Sequence, residues 1–122
     1  MILLAERISD RERPDPFVVT GDFNAGENNP AILFLIGKST LKGRGKVESE
    51  NPVTMVDTFR TLHGDADKVG TFNSFRGTDT GEKIDFVLTS SDVQVLDAQI
   101  LHDNVEGRYP SDHFPVTARL QY

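Results

Sequence analysis

Phe17-Val18-Val19-Thr20-Gly21-Asp22-Phe23-Asn24 is the stretch on which the reading of this chain turns. An apolar run passes directly into a glycine flanked by a carboxylate and an amide. The pattern predicts a strand over about 16–20 whose end carries Asp22 and Asn24. Two apart on an extended backbone, these side chains point to the same side. A carboxylate beside an amide suits phosphoester hydrolysis: one group positions a water or a metal while the other donates to a phosphate oxygen. The same residue types also suit an Asx turn at a strand end.

A second motif lies near the other end, Ser111-Asp112-His113-Phe114-Pro115, just ahead of an alternating run in which Phe114, Val116, Ala118 and Leu120 share a face. That run predicts a strand over 114–121, with Pro115 excluded from central ladder pairing because it has no N–H. Asp112 and His113 are adjacent and cannot face one way on a regular strand, but at its entrance they share a cleft rim. His113 is then a candidate acid, base or donor to a phosphoryl oxygen. A solvated turn is the other reading of the pair.

Between the motifs, Lys83 to Thr89 reads as a mostly apolar strand interrupted by one acid, Asp85. An ionised carboxylate is rarely buried without a partner. His113 is the natural one, because a carboxylate that holds an imidazole N–H fixes its tautomer and raises its basicity. Lys83 and Arg119 are the alternatives. Asn73, Ser74 and Arg76 fall where a loop could overhang the same cleft, Arg76 as a phosphate contact, and each also reads as a solvated loop residue. His63 and His102 have no motif around them and are assigned no role. Lys42, Arg44 and Lys46 read as a solvated cluster that could touch an anionic substrate.

The remaining elements follow from local signals. Residues 2–13 predict an amphipathic helix with Leu4, Ala5 and Ile8 on one face. It is under way at residue 1 without a capping signal, which raises the expectation of a truncated domain. Pro14 and Pro16 break it. Asn28-Asn29-Pro30 is a helix start, Ala31 to Ile36 a buried helix, and Gly37 its end. Residues 37–51 read as a mobile loop. Asp57 or Thr58 caps a short helical turn through Leu62, stopped by Gly64. Gly70 to Phe75 alternates as a strand, residues 77–82 reverse the chain, and Val93, Val95 and Ile100 mark another strand. A sheet of about five strands with two or three helices is an α+β fold.

At 122 residues the chain is sized for one domain, with 37% hydrophobic and 26% charged residues. The absence of cysteine excludes disulfides, thiolate metal sites and cysteine nucleophiles. A net charge of −6 argues against a tight electrostatic grip on nucleic acid, though not against a metal site, because a bound cation reverses the local potential. No stretch approaches the roughly 20 apolar residues that span a bilayer. Residues 1–8 lack a basic leader and a cleavage site, so no signal peptide is expected there; localisation is left open, soluble and cytoplasmic by default.

Taken together, Gly21-Asp22-Phe23-Asn24, Lys83-Ile84-Asp85-Phe86 and Ser111-Asp112-His113, in this order and with Gly70-Thr71-Phe72 between them, resemble the endonuclease/exonuclease/phosphatase superfamily. That group includes deoxyribonuclease I-like nucleases, abasic-site endonucleases, sphingomyelinases, inositol polyphosphate phosphatases and deadenylase-like enzymes. The resemblance covers nearly the whole chain but only the C-terminal half of the family domain. It implies that residues 1–122 form a single domain, half of a four-layered α/β/β/α sandwich. That half would be one mixed, mainly antiparallel sheet with helices on its outer face.

The resemblance further implies roles. Asp22 looks like the aspartate that orients the attacking water, and Asn24 like its phosphate-binding partner. Asp112 looks like a metal-contacting carboxylate, His113 like the histidine on the scissile phosphate, and Asp85 like the acid that holds it. The implied reaction is in-line attack of water on a phosphoester with Mg²⁺ or Mn²⁺. The substrate is left open among nucleic acid, a phospholipid headgroup and an inositol phosphate. The family's N-terminal half supplies an Asn and a metal-binding Glu, and Glu6 on its helix cannot replace the latter. Weak metal binding and weak or no activity are expected of the chain alone. A sheet face left open by the absent half implies a homodimer. A non-catalytic truncated module and one half of a split enzyme are the alternatives.

Overall fold

The computed structural model describes residues 1–43, 45 and 47–122. Helix α1 runs Ile2–Ser9, short of the expected residue 13, because the Arg11 guanidinium turns back and donates to the Ile8 carbonyl at 2.8 Å. Strand β1 follows at Val18–Asp22. Helix α2, Pro30–Leu35, starts where the Asn-Pro pair places it. The Asn29 side chain accepts from the Ala31 amide at 2.9 Å, and Pro30 takes the first helical position, where no N–H is needed.

Residues 37–51 are not the expected open loop. Leu41–Lys42 (β2) and Glu48–Ser49 (β3) pair as a short antiparallel hairpin. Beyond it, the Asn51 amide donates to the Phe34 and Leu35 carbonyls at 2.8 and 2.9 Å. Both are carbonyls at the C-terminal end of α2; the Phe34 carbonyl also accepts from the Gly37 amide at 3.1 Å, and the Asn51 contacts tie the segment down at its far end. Lys42 lies in β2, while Arg44 and Lys46 lie outside the described residues.

Strand β4, Met55–Asp57, passes without a linker into helix α3, Thr58–His63. Asp57 serves both elements. It ends the strand, and its Oδ1 accepts from the Phe59 and Arg60 amides. The Thr58 hydroxyl donates to the Val87 carbonyl at 2.8 Å, which fixes α3 to strand β5, Asp85–Ser90. Strands β6 (Gln94–Ile100) and β7 (Val116–Gln121) complete the set.

The fold is α+β, and the strands among the described residues lie in three antiparallel sheets. The larger ladder has the order β1-β5-β4, and β2-β3 and β6-β7 are two-stranded. The single mixed sheet is therefore divided. Pro115 has no N–H to give at the entrance to β7, and its carbonyl accepts from Leu101 instead. Gly70 to Phe75 is not a strand either. The Asn73 side chain accepts from the Phe75 amide at 2.7 Å, an Asx turn that holds Ser74 and Phe75 at φ 55° and 60°. Of this segment, Phe72 alone bridges to another strand-like position, His113.

Ala5, Ile32, Phe34, Leu35, Met55, Phe86 and Leu88 form the core, so the helices cover one face of the β1-β5-β4 ladder. Alternation decides what the other face shows. Val19 opposite Leu88 and Gly21 opposite Phe86 turn toward the helices, whereas Thr20 opposite Val87 and Asp22 opposite Asp85 turn away. No helix among the described residues is long and apolar enough to cross a membrane. Because Asn51 donates to two carbonyls, Asn51→Ala is expected to destabilise the fold by about 1–3 kcal/mol, read as a lower urea midpoint with an unchanged m-value.

Candidate active site

Asp22 and Asp85 are direct cross-strand partners at the end of the β1–β5 ladder. Like charges in that relation repel, so something must hold the acids in place. On the Asp85 side the holder is Thr71, a buried residue whose hydroxyl oxygen accepts from the Ile84 and Asp85 amides at 3.0 and 3.1 Å. On the Asp22 side it is the turn itself. Asp22 Oδ1 accepts from the Asn24 amide at 2.8 Å, and Gly21 sits at φ 153°, a conformation that L side chains rarely adopt. The Asx turn foreseen as an alternative to a working carboxylate is thus present, and it engages one oxygen of Asp22.

Asn24 is not placed by strand alternation. The strand ends at Asp22, and Asn24 takes φ 48° on an exposed turn. The expectation that both side chains share a strand face does not apply beyond Asp22.

The segment carrying Thr71 also delivers the histidine. The Phe114 amide donates to the Thr71 carbonyl at 2.7 Å, and the Asn73 and Ser74 amides donate to the Asp112 carbonyl at 2.7 and 3.1 Å. His113 is held between these contacts. Its Nδ1 lies 2.8 Å from Asp85 Oδ2. A carboxylate only accepts, so Nδ1 carries the proton and Nε2 is left for other work. The Phe72 ring packs edge-on to the imidazole, with centroids 5.2 Å apart. The Asp85 hydrogen bond raises the His113 pKa above its ordinary 6.5, more than partial burial lowers it, and the charges of Asp85, Asp22 and Asp112 add to the rise.

One ligand atom from each of Asp22, Asp85 and His113 lies within 4.8 Å of the other two. Asp112 stands outside this group. It is half-buried beside His113, with its carbonyl engaged as above and its Oδ1 3.4 Å from the Ser111 hydroxyl.

The other candidates sort clearly. Lys83, an alternative partner for Asp85, instead donates to Asp57 at 2.8 Å. Arg119 stands opposite Asp97 in the β6–β7 ladder. Asn73 is buried and structural, whereas Ser74 and Arg76 are exposed. His63 Nε2 meets the Ala98 carbonyl at 2.6 Å, and His102 packs edge-on to Phe114. Sequence reasoning missed Thr71. Its hydroxyl was invisible in a segment read as strand, although the Gly-Thr-Phe run marked the place.

The sequence model of the Endonuclease/Exonuclease/phosphatase family matches residues 1–113. The exodeoxyribonuclease of Streptococcus pneumoniae serotype 4 is 27% identical over 126 residues, covering 95% of this chain and 45% of the relative. A solved endonuclease/exonuclease/phosphatase family protein from Bacteroides thetaiotaomicron superposes with a TM-score of 0.72 at 25% identity, over 97% of this chain and 41% of its own. A mannosyl-6-phosphatase from the same species also superposes at 0.72, with 24% identity over 98% and 43% of the two chains, a likeness of fold. The chain spans less than half the length of each relative.

The raised His113 pKa has a stability consequence. The folded imidazole holds its proton more tightly than the unfolded one, so the contribution of the pair is whole below about pH 6.5. It is lost as pH rises through the higher folded value. Asp85→Asn is expected to bring the His113 pKa down and to flatten the stability profile in that window. Imidazole proton shifts followed by NMR across pH check this; an unchanged titration would dismiss Asp85 as the cause.

Proposed function

Because the chain belongs to the Endonuclease/Exonuclease/phosphatase family, we propose that the open face of its central ladder carries the hydrolytic groups of a metal-dependent phosphoesterase. The observation that carries the reading is the 2.8 Å Asp85–His113 bond with Asp22 beside it. Asp85 fixes the tautomer and the ring plane, leaving Nε2 for a phosphoryl oxygen. With its pKa raised, the imidazole is more often protonated near neutrality and donates a charge-assisted hydrogen bond to the oxygen where charge develops. Asp22, exposed and with one oxygen engaged in the turn, accepts from the attacking water. Asn24, on the exposed turn, donates its amide to a phosphate oxygen.

The donor set fits a hard divalent cation. Asp22 and Asp85 offer carboxylate oxygens, with Asp112 alongside, which suits Mg²⁺ or Mn²⁺ rather than a thiophilic metal. Asp22 and Asp112 are the acids that meet an ion without giving up the Asp85–His113 bond. Such an ion supplies charge stabilisation to the phosphoryl group in the transition state.

The 27% identity to an exodeoxyribonuclease favours a phosphodiester substrate. Against that, the net charge of −6 disfavours a tight grip on nucleic acid. Residues 1–122 correspond on this reading to the C-terminal half of a family domain, and the chain by itself is a weak catalyst. Val18 and Thr20 are exposed on the same face as Asp22, and a second copy docked there would cover them as a homodimer.

His113→Ala is expected to lower Mn²⁺-dependent cleavage of a p-nitrophenyl phosphodiester by at least about 100-fold, and Asp22→Ala to weaken Mn²⁺ binding in a calorimetric titration. The cleavage assay is run on the chain alone and with the remaining half of the domain supplied as a separate fragment. Equal turnover in parent and His113→Ala under both conditions would refute the assignment.

A further inference from the structure

Behind the carboxylates, on the helix-covered side of the ladder, four charged side chains form a closed group. The Lys83 ammonium is 1% exposed. It donates to Asp57 Oδ2 at 2.8 Å, lies 3.9 Å from Glu27 Oε1 and sits 3.4 Å from the centroid of the Phe86 ring. Glu27 receives a two-pronged contact from Arg60, Nε at 2.6 Å and Nη2 at 2.7 Å. Arg60 Nη1 donates onward to the Gly64 and Ala66 carbonyls, and the other oxygen of Asp57 caps α3. Two cations face two anions, so the group is neutral as a whole. Burial pushes the Glu27 carboxyl up, but the Arg60 hydrogen bond and the Lys83 and Arg60 charges together hold it below its ordinary value.

Stability alone is a poor reason for such a group. Buried ion pairs replaced by apolar residues of similar volume often leave a protein as stable or more so. What is particular here is which segments the group joins. Glu27 lies just beyond the Asp22–Asn24 turn, and Lys83 stands two residues before Asp85. Between these anchors, the Phe23 amide donates to the Ile84 carbonyl at 2.9 Å, and the Phe23 and Phe86 rings meet edge-on at 5.5 Å. The quartet thus closes a ring of contacts around the two backbone segments that carry the acids, from the helix-covered side of the ladder, with Lys83 buried and Glu27 and Arg60 partly exposed.

We propose that Glu27, Arg60 and Lys83 are positioning residues that hold the Asp22–Asn24 turn in register with Asp85; the inference rests on reading those acids as the hydrolytic site. Arg60 matters for its planar fork, which grips both carboxylate oxygens as a lysine cannot. Lys83 acts from a site where its removal would leave two acids facing one base. Lys83→Met is for that reason a poor probe, since it risks unfolding the chain. Glu27→Gln and Arg60→Lys preserve shape or charge and are the useful variants.

The experiment is amide hydrogen exchange by NMR on the whole chain, with a Mn²⁺ titration of the same samples. In Glu27→Gln the Phe23 and Asn24 amides are expected to exchange about tenfold faster while those of the β6–β7 ladder keep their parental rates. Arg60→Lys is expected to give a smaller change at the same two amides. Mn²⁺ affinity is expected to fall several-fold in both. Acceleration spread evenly over all ladders would reduce the quartet to a stabilising role, and parental rates at Phe23 and Asn24 would overturn the proposal outright. If Asp22→Ala left Mn²⁺ binding as in the parent, the metal-site reading would fail. The amide rates would still decide the positioning claim.

Discussion

Two carboxylates set directly across an antiparallel ladder are the constraint around which this structure is arranged. Asp22 and Asp85 face each other at the end of β1 and β5, a placement that costs about 0.2–1 kcal/mol relative to neutral partners. The surrounding residues offset that repulsion in several ways. His113 brings an imidazole to Asp85 at 2.8 Å. Thr71 fixes the backbone under Asp85, and the Asn24 amide binds Asp22. The segments 71–74 and 112–114, which form no regular strand, are stitched together by backbone hydrogen bonds and exist to deliver that histidine.

Much of this was legible in the sequence because it rests on local chemistry. Asn29-Pro30, Asp57 and Gly64 mark helix ends by mechanisms that need no tertiary partner, and the structure places caps at all three. The lone acid in an apolar strand pointed to a partner for Asp85. What was illegible is what depends on a competing side chain. Asn73 turned an alternating run into an Asx turn. Asn51 converted an apparently free loop into a hairpin tied to α2. Arg11 ended α1 early. Strand β4, only three residues long, was too short to show a period.

Lys83 illustrates the limit most sharply. Two residues from Asp85, it was an obvious candidate to neutralise it. The choice between Asp85 and Asp57 is decided by which side of the ladder each carboxylate faces, and that is a property of the pairing register. Asp57 stands opposite Leu88 on the helix-covered side, where the Phe86 ring also receives the ammonium. Asp85 on one side therefore pairs with a histidine, and Asp57 and Glu27 on the other with lysine and arginine. The strongly hydrated cation is buried where it is fully paired, and the titrating one is left at the surface where proton exchange is useful.

The pairing of Asp22 with Asp85 also ties chemical competence to the slowest part of folding. Phe17 and Ser90, at the far end of the same ladder, are bonded across 73 positions of sequence, so β1 and β5 meet only after a long loop has closed. Contacts of that range form late and raise the kinetic barrier. A slip of a single residue would swing Asp22 from the open side into the apolar core while leaving every helix intact. A misregistered molecule would thus keep a near-native helical spectrum and hold no acid pair at all. Secondary-structure content is consequently a blind gauge of sample quality for this chain, and the fraction of molecules with the correct ladder is the quantity that governs any measured specific activity.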